Sequence, residues 1–377
     1  MWRLALQQIL HDRVRSGLTT LAICAAIAVT LILHGFEQGL YVQSKKVVMD
    51  RGGQLFLAQA GVANFLAVRS SIPQLTRAAV EEVEGVDEAH PITGFWVIYG
   101  PEGNKFPLLL VVYDQLGGPP NIIEGQPIRA GRDVVIDIGL AKRFGLKPGD
   151  PLVISEFEFR VSGISSGSSA LFSTFAYVSY DGLIDLLIES EIAPDISTFP
   201  MVSFLLTQLD KGADLMTVGN RIEAQVPEVD VFAPQQLAAK DVQLGEELFG
   251  PIMGVLISLS YIIGMLVIGL IIYSDVSARR RSFGILKALG FRLSHIARGV
   301  LMQTLLLVIV AYPLGVGFAY LVASAIEWNM PVYLVHVLDG PGLIKTLLGS
   351  FIMGLLGSLL PLRMIARTDP MLAFQVE

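Results

Sequence analysis

Few residues of this sequence have the types and spacing that catalysis or metal binding requires. The five histidines are scattered, no H-E-x-x-H motif occurs, and the single cysteine, Cys24, lies inside an apolar run. A lone cysteine cannot form an intrachain disulfide, and dispersed histidines do not make a metal site. Residues 163–170 are rich in Gly and Ser, but they lack the lysine of a phosphate-binding loop, so we expect a surface loop there. The sequence therefore predicts neither an enzyme site nor a metal site.

The residues that stand out are three consecutive arginines, Arg279–Arg281, followed by a short amphipathic segment that ends near Gly290. Phe283, Leu286 and Leu289 recur near helical spacing, so we expect a short helix with an apolar face. Such a helix could lie on a membrane, where its cations would meet anionic lipid headgroups. Its role depends on the segments around it.

The chain as a whole has the composition of a membrane protein. Hydrophobic residues make up 53% of it and charged residues only 16%, against about 25% in soluble domains. Four segments are long and apolar enough to span a bilayer, and none contains an acidic residue: 17–36, 248–274, 299–326 and 346–362. The first is too long for the apolar part of a signal peptide and no cleavage site follows it, so we expect a retained helix.

The basic residues indicate the side of the membrane on which each connection lies. They collect in the N-terminal segment 1–16, in the 275–298 loop and in the tail 363–377, whereas the 327–345 connection holds only Lys345. The positive-inside rule then predicts both termini and the 275–298 loop in the cytoplasm. Residues 37–247 form one large outer domain, with 28 Asp and Glu against 15 Lys and Arg. Such an acidic domain disfavours nucleic acid as a partner.

We therefore predict a membrane α-helical protein with four transmembrane helices and a large extracytoplasmic α/β domain inserted between the first and second. The N-terminal segment is expected to be amphipathic, and helical stalks to continue the first span to about residue 50 and lead into the second from 241. Patterning of apolar residues and turns within the outer domain predicts the following elements: strands at 54–61 and 156–164, a helix over 73–83, two strands joined by a turn over 95–114, strand–helix–turn–strand over 133–154, and β-α-β over 203–232.

The arginine-rich segment resembles a family motif. Its residues match the pattern R-E-x-G-[IV]-L-[KR]-A-[LI]-G at these positions: Arg281, Gly284, Ile285, Leu286, Lys287, Ala288, Leu289 and Gly290. That pattern marks the cytoplasmic coupling helix of MacB/FtsX-type (type VII) ABC transporter permeases. The C-terminal stretch PLRMIARTDPMLAF and the segment GRDVVIDIGLAKRFGLKPGDPLVI also resemble that family, so the resemblance covers the whole chain. Within the family, the chain looks most like the DevC and haem-exporter (HrtB-like) branch.

The resemblance implies a permease subunit that works as a homodimer with two copies of a separate ABC ATPase. It implies no cofactor in this chain, since the ATPase would bind ATP and Mg²⁺. The residues expected to contact the ATPase are Arg279, Arg280, Arg281, Ser282, Gly284, Ile285, Leu286, Lys287, Ala288, Leu289 and Gly290. Gly284 would permit close approach, and Gly290 would end the helix. Ser282 stands where the family usually has Glu, so Arg279 and Arg280 would carry more of this contact.

Two further sets of residues are hypotheses for helix packing and for substrate entry. Small residues at i, i+4 spacing could form a dimer or packing face: Ala22, Ala26 and Thr30 in the first span, and Gly250 and Gly254 in the second. A substrate entering from the outer leaflet would meet the side chains at the outer ends of the spans: Phe36, Tyr41, Trp328, Met330 and Tyr333. Interfacial anchoring is the alternative interpretation of these aromatic residues. His34 and Met49 could touch a haem, although nothing at metal-ligand spacing joins them.

The resemblance implies a protein of the bacterial cytoplasmic (inner) membrane whose outer domain is moved by ATP hydrolysis in the partner ATPase. The transporter would export or extract an amphipathic or hydrophobic substrate (haem, lipid, peptide or drug) by mechanotransmission, with or without a periplasmic membrane-fusion adaptor protein. The alternative is a membrane-tethered receptor or sensor, or an FtsX-like regulator, that transmits a signal without transporting cargo. A sensor would share the topology but would not need a helix that docks an ATPase.

Overall fold

The structure, a computed structural model, describes residues 13–66, 69–100, 105–154, 156–167, 169, 173–189 and 201–367. The chain divides into two compact units. The helical unit comprises the chain up to Gln38, Gly250–Ile326 and the residues from Val335 onward. The sheet unit comprises Gly39–Phe249 together with Glu327–Leu334.

The described residues contain the following helices: α1 (Arg13–Met49), α2 (Thr76–Glu81), α3 (Ile138–Phe144), α4 (Tyr180–Glu189), α5 (Leu215–Gln225), α6 (Pro234–Ala278), α7 (Arg280–Ala288), α8 (Leu293–Asn329), α9 (Gly340–Gly357) and α10 (Leu359–Arg367). They contain the following strands: β1 (Leu55–Gln59), β2 (Ile72–Pro73), β3 (Val86–Tyr99), β4 (Phe106–Tyr113), β5 (Ile122–Gly125), β6 (Asp133–Asp137), β7 (Pro151–Ile154), β8 (Phe157–Ser165), β9 (Thr174–Ser179), β10 (Met201–Val202), β11 (Phe204–Leu209) and β12 (Val229–Phe232).

Four helical segments of the described residues are long and apolar enough to cross a membrane. They lie in residues 17–49 of α1, in α6, in α8, and in the segment 340–367 that contains α9 and α10. Helix α6 has 45 residues, more than a span needs; its uncharged stretch 248–274 is long enough to span, and the part before it, which includes Asp241, belongs to the sheet unit. The sheet lies between the first and the second of these in the chain, so the predicted fold class is confirmed.

The fourth span is interrupted, whereas the sequence predicted one uninterrupted segment over 346–362. Helix α9 begins at Gly340, where the Asp339 carboxylate accepts a hydrogen bond from the Gly342 amide at 2.8 Å. It ends at Gly357, and α10 begins after Ser358. Pro361 explains the interruption, because its ring has no N–H to donate to the Gly357 carbonyl and clashes with that group in a regular helix.

One apolar core holds the helical unit together, with side chains from α1, α6, α8 and α9. On α1 the fully buried residues recur every four positions, at Ile23, Ile27 and Leu31. This spacing directs one stripe of the helix into the bundle. Many other apolar residues of these helices, such as Leu21, Val255 and Leu321, are exposed, as expected of side chains that face lipid.

The sheet unit is built on one large sheet with the strand order β12-β1-β11-β3-β4-β9-β6-β8-β5, and β7 pairs with β8. Most neighbours are antiparallel, but β4 and β9 are parallel, as are β6 and β8. Strand β6 is buried along its whole length, which explains its continuous apolar run. Strand β8 instead alternates buried and exposed residues at its start, as the EFEF sequence predicts.

The predicted element pairs of this domain are largely confirmed. The strand–helix–turn–strand segment is β6, α3 and β7, and the predicted β-α-β segment is β11, α5 and β12. The Asp137 carboxylate caps α3 by accepting from the Gly139 amide at 2.7 Å, and Gly145 ends the helix with φ of 69°.

Two predictions for this domain need correction, and a third concerns residues that the structure does not describe. Pro73 belongs to β2 rather than to a helix, because β2 pairs with β10, and α2 begins only at Thr76. The expected loop at 163–170 begins late, since Gly163–Ser165 pair with β6 inside β8. The predicted turn at 101–104 lies outside the described residues. Strands β5 and β9 and helix α4 carried no pattern that singled them out.

Candidate functional site: the coupling helix and the stalks

Helix α7 is a nine-residue helix with a well-defined end, between α6 and α8. The amide of Gly290 donates to the Lys287 carbonyl at 3.0 Å, and the amide of Phe291 donates to the Leu286 carbonyl at 3.1 Å. Gly290 itself has φ of +86°, a conformation that favours glycine. These two bonds and this glycine form a Schellman motif, which ends the helix where the sequence predicted.

The apolar side chains of α7 point in two directions. Phe283 and Leu286 are partly buried against the core of the helical unit, and Gly284 is buried. Ile285 is 45% exposed and Leu289 is 71% exposed. These two residues lie four apart and therefore share one face of the helix. The helix thus uses one apolar face for packing and keeps another open to a partner.

The basic residues near α7 are partly engaged with the helical unit. Arg279 forms an ion pair with Asp275 at 3.4 Å, and Lys287 donates to the Ala366 carbonyl of α10 at 2.9 Å. Arg281 and Ser282 are exposed. The side chain of Arg280 lies outside the described residues. Arg281 and Ser282 are therefore the exposed polar side chains among the described members of the arginine segment, while Arg279 is tied to α6.

The predicted small-residue face divides into packed and open positions. The Ser260 hydroxyl donates to the Thr30 Oγ1 at 3.2 Å, and Thr30 is fully buried. Ala26 lies beside Gly264, where an added Cβ would approach the Ala26 Cβ at 3.5 Å. Ala26 and Thr30 are thus occupied by contacts with α6 of the same chain, and full burial leaves Thr30 no surface for a dimer contact. By contrast, Gly254 is exposed with open space around it.

Ala22 and Gly250, the remaining members of that face, are partly exposed. The tight backbone approach of α6 to α9 involves glycines that the sequence did not single out. A Cβ at Gly269 would lie 2.9 Å from the Gly357 carbonyl oxygen, and one at Gly357 would lie 2.8 Å from the Met265 carbonyl oxygen. The signal available in the sequence, a glycine within an apolar span, is too common to have found them.

The residues proposed for substrate entry fall in different units. Phe36 packs against the core of the helical unit. Tyr41, Trp328, Met330 and Tyr333 belong to the sheet unit. Trp328 is 74% exposed and Met330 is 57% exposed, whereas Tyr41 and Tyr333 are partly buried.

The connection that carries Trp328 is held by the sheet unit. The Lys142 ammonium lies 4.3 Å from the centroid of the Trp328 ring and donates to the Trp328 carbonyl at 2.7 Å. The Gln43 side-chain amide donates to the Val332 carbonyl at 2.9 Å. These contacts position the aromatic residue and give it a role besides that of an interfacial anchor.

The haem hypothesis for His34 and Met49 finds no geometric support. His34 lies in the helical unit, 3.7 Å from a carboxylate oxygen of Glu37 and 3.5 Å from the Tyr261 hydroxyl. Met49 packs against a core cluster of the sheet unit. Fifteen residues of helix separate the two, or about 22 Å at the usual rise, so one metal cannot bind both. Among the described residues, no group of three or more His, Cys, Asp or Glu side chains could hold a metal ion.

A serine-hydrolase pattern, G-x-S-x-G, occurs at Gly163–Gly167 but does not form a nucleophile site. Ser165 is fully buried at the end of β8, and its hydroxyl donates to the Ile136 carbonyl at 3.4 Å. The chain then returns to the sheet as β9 from Thr174, whereas a nucleophile elbow leads from a strand into a helix.

Two charged residues connect the stalks to one segment of the sheet unit. Asp241 of α6 is buried and accepts hydrogen bonds from the amides of Phe65 and Leu66 at 3.0 and 3.3 Å. Burial raises the pKa of the Asp241 carboxyl to about 6, although these two bonds favour its charged form. Arg51, two residues after α1, lies 5.7 Å from the Phe65 ring centroid and donates to the Gly117 carbonyl at 2.7 Å.

Arg51 is itself enclosed by aromatic rings. Its guanidinium lies 5.6 Å from the centroid of Phe175 and 5.3 Å from that of Tyr177. Such a buried cation is stabilised by the negative faces of the rings and by its backbone acceptors. Both stalks therefore end in charged groups that sequence reasoning missed, because the partners are distant in the chain.

Comparison with known proteins agrees with this arrangement. The model of the MacB-like periplasmic core domain matches residues 16–225, and that of the FtsX-like permease C-terminal region matches residues 254–370. An uncharacterized ABC transporter permease from Mycobacterium tuberculosis (strain ATCC 25618 / H37Rv) is 24% identical over 374 residues, 98% of each chain. The uncharacterized ABC transporter permease YvrN from Bacillus subtilis (strain 168) is 24% identical and is covered to 99%, with 100% of this chain.

Two solved structures that match part of the chain are isolated extracytoplasmic regions. The periplasmic region of MacB from Actinobacillus actinomycetemcomitans has a TM-score of 0.37 and 11% identity, covering 51% of this chain and 94% of that one. The extracellular domain of the ABC-type transporter YknZ from Gram-positive bacteria has a TM-score of 0.34 and 12% identity, covering 48% of this chain and 100% of that one.

Four spanning segments, a sheet domain after the first of them and an FtsX-like C-terminal region define an ABC transporter permease of the cytoplasmic membrane. The chain belongs to the MacB/FtsX-type family of these permeases.

Proposed function

We propose that this chain couples ATP hydrolysis by a separate ATPase subunit to movement of its sheet unit. The observation that carries the proposal is α7, a short capped helix that leaves Ile285 and Leu289 open while Phe283 and Leu286 are packed. In this proposal, two copies of the ATPase bind ATP and Mg²⁺, and this chain contributes the docking helix. The arginines bring a positive charge to the same segment, which suits an acidic groove on the ATPase.

Long helices would carry the motion. Helices α1 and α6 are each continuous from residues of the helical unit to residues of the sheet unit. The α7 segment follows α6 directly, so a displacement of α7 acts on the end of that helix. A homodimer, cytoplasmic termini and an extracytoplasmic sheet unit complete the proposal. This movement would export or extract an amphipathic substrate. A membrane-fusion adaptor is a further partner that this topology accommodates.

A gentle-detergent purification of the tagged chain from its native membrane, followed by mass spectrometry, tests the proposal. We expect an ATPase with nucleotide-binding motifs in stoichiometric amount, lost when Leu289→Asp places a charge in the open apolar face. Ser282→Glu is the matched control, because it adds an acid about two turns earlier, where the family pattern has Glu. It should retain the ATPase.

Leu286→Asp is a less suitable test, since Leu286 packs against the bundle and its loss would disturb insertion. If the ATPase remains bound in Leu289→Asp at the wild-type level, α7 is not the docking helix. Recovery of the wild-type chain without an ATPase would favour the tethered sensor, with α7 lying on lipid headgroups.

A further inference from the structure

The sheet unit contains a cavity of about 430 Å³ that the proposed coupling does not use. Its floor is formed by alternate residues of two paired strands: Ile92, Gly94 and Trp96 from β3, and Leu109 and Val111 from β4. Alternate residues of a strand share one face, so this floor is a single surface of the sheet. The volume lies within the range of small-molecule binding sites.

The floor is open rather than filled by the protein's own side chains. A Cβ at Gly94 would have a single neighbour within 4 Å, the Leu109 Cδ1 at 3.5 Å. Trp96 is 58% exposed, although it is a large apolar side chain. An exposed indole beside an unfilled apolar floor is typical of a binding surface rather than of a core.

The walls add aromatic surface. Phe65, from the segment between β1 and β2, stacks on Phe204 of β11 with ring centroids 4.7 Å apart. Leu66 adjoins it. The cavity is therefore lined by four aromatic residues, Phe65, Phe95, Trp96 and Phe204, and by several aliphatic side chains, which suit an apolar chain or ring system.

The hydroxyl groups of the lining are already bonded within the protein. The Ser70 hydroxyl accepts from the Gln59 amide at 2.8 Å, and the Ser203 hydroxyl accepts from the Gly94 amide at 3.3 Å. Thr93 is bonded to the Tyr180 hydroxyl at 3.0 Å. The interior thus offers mainly carbon surface to a ligand.

Arg69 is the charged residue of this lining, and it is exposed. Four other arginines of the sheet unit form ion pairs with carboxylates: Arg77, Arg132, Arg160 and Arg221. Among the described residues no carboxylate pairs with Arg69. An arginine at the edge of an apolar cavity is suited to a carboxylate or phosphate headgroup.

We propose that this cavity binds an amphipathic anion, with its apolar part between Phe65, Trp96 and Phe204 and its acidic group on Arg69. The ligand would contact a wall that both stalks hold. The Phe65 amide donates to Asp241 of α6, and the Phe65 ring lies beside Arg51 at the end of α1. Ligand occupancy and the position of these two helix ends are thereby linked through one segment.

Quenching of Trp96 fluorescence by a brominated fatty acid tests the site in the full chain, reconstituted in lipid nanodiscs. The sequence has three tryptophans, so Trp2→Phe and Trp328→Phe leave Trp96 as the reporter. We expect dibromostearate to quench it saturably. Arg69→Gln should weaken that binding roughly fivefold, as loss of a partly exposed ion pair does. The methyl ester of dibromostearate should bind the wild-type chain about as weakly as the acid binds the Arg69→Gln variant. Arg69→Gln should not weaken binding of the ester further.

Gly94→Leu should abolish saturable quenching by filling the floor, with unchanged thermal unfolding. Leu109→Phe, which fills the same floor from the neighbouring strand without adding a second tryptophan, is the alternative variant if Gly94→Leu does not fold. Quenching that rises linearly with dibromostearate, or that survives both filling variants, would show partition into the bilayer and overturn the proposal. Equal affinity for acid and ester would overturn the assignment of Arg69.

Competition with unbrominated stearate and with lysophosphatidate distinguishes a free fatty acid from a membrane phospholipid as the source of the anion. Displacement by either supports the site, and displacement by neither contradicts it. The assay needs no ATPase, so its failure leaves the proposed coupling intact. Conversely, retention of the ATPase in Leu289→Asp would overturn the docking helix and leave the cavity proposal untouched.

Discussion

At the scale of single residues, Asp241 has the most informative environment in the sheet unit. Its carboxyl is buried, and its two acceptor contacts are backbone amides of the segment that walls the cavity. Burial raises its pKa from 3.8 to about 6. A carboxyl with a raised pKa in the folded state stabilises the fold most below its unfolded pKa, and this stability is lost as the pH rises through about 6.

Asp241→Asn should therefore stabilise the protein at pH 7.5 and lose this advantage toward pH 4. The amide carbonyl can still accept from Phe65 and Leu66, but no charge has to be buried. The expected gain is at most about 3 kcal/mol, the equivalent of two pKa units. Thermal unfolding of the purified full chain, measured across this pH range, gives the result.

Asp230→Asn is the control, because the Asp230 carboxylate also holds this segment, by accepting from the Gly61 amide at 2.8 Å in an exposed place. No charge is buried there, so Asp230→Asn should not stabilise the protein at pH 7.5. A pH-independent stability difference for Asp241→Asn would mean that the carboxyl is already charged at low pH.

Sequence reasoning at this scale found Gly290 but missed Asp241 and Arg51. The glycine belongs to a local pattern in which helix, cap and following residue are contiguous. The two charged residues depend on partners far along the chain, such as Gly117 for Arg51 and Phe65 for Asp241. No local spacing encodes such contacts.

At the scale of elements, the end of α7 leads to a prediction about coupling. Gly290→Ala forces a side chain into a left-handed conformation, at a cost of about 1 kcal/mol. We expect the last turn of α7 to fray and the yield of co-purified ATPase to fall. Gly299→Ala is the matched control, since Gly299 lies in α8 with no atom within 4 Å of its added Cβ. Equal ATPase yields for the two variants would show that the cap of α7 is not needed for ATPase docking.

The contact of α6 with α9 leads to a second prediction at this scale. Gly269 and Gly357 approach so closely that a methyl group on either would meet backbone atoms at under 3 Å. Gly269→Ala should push the helices apart and cost about 1–3 kcal/mol. The thermal stability of the protein in detergent should fall, while that of Gly317→Ala, which meets open space, should not. An unchanged melting temperature for Gly269→Ala would show that the helices separate freely.

The elements that sequence predicted are those with strong local patterns, such as the alternation of β8 and the capped α3. Gly163–Ser165 show why others were missed. Their composition is typical of a loop, but register with Val135–Asp137 of β6 keeps them in the sheet. The break at Pro361 was also missed. A proline is tolerated in the first turn of a helix and interrupts the helix only farther along, and the sequence does not show that the fourth span begins as early as Gly340.

At the scale of the whole molecule, the continuity of α6 is the feature on which the proposed mechanical coupling depends. Inserting Gly-Gly after Phe249 would add a flexible joint where the chain passes from one unit to the other. We expect the ATPase still to bind and the sheet unit still to fold, but ATP-dependent changes in the quenching of Trp96 by acrylamide to disappear. The same insertion after Lys211, in an exposed turn before Gly212, should leave those changes in place. If both insertions behave alike, α6 does not transmit the motion.

The order of spans and domain could be predicted at this scale because hydropathy and charge act along the chain. The order of strands could not. Strand β1 pairs with β11 and β12, which follow it by about 150 residues or more, and no turn between neighbours specifies such pairs.

The connection that carries Trp328 changes how the sheet unit can respond. Residues Glu327–Leu334 also belong to it, and Lys142 and Gln43 hold them there. These residues run from the end of α8 toward α9, so in the proposed coupling a movement of either helix would reach the sheet unit through a third chain connection. ATP-driven motion would then act on the sheet unit along three chain connections, α1, α6 and this one, rather than along the two stalks alone.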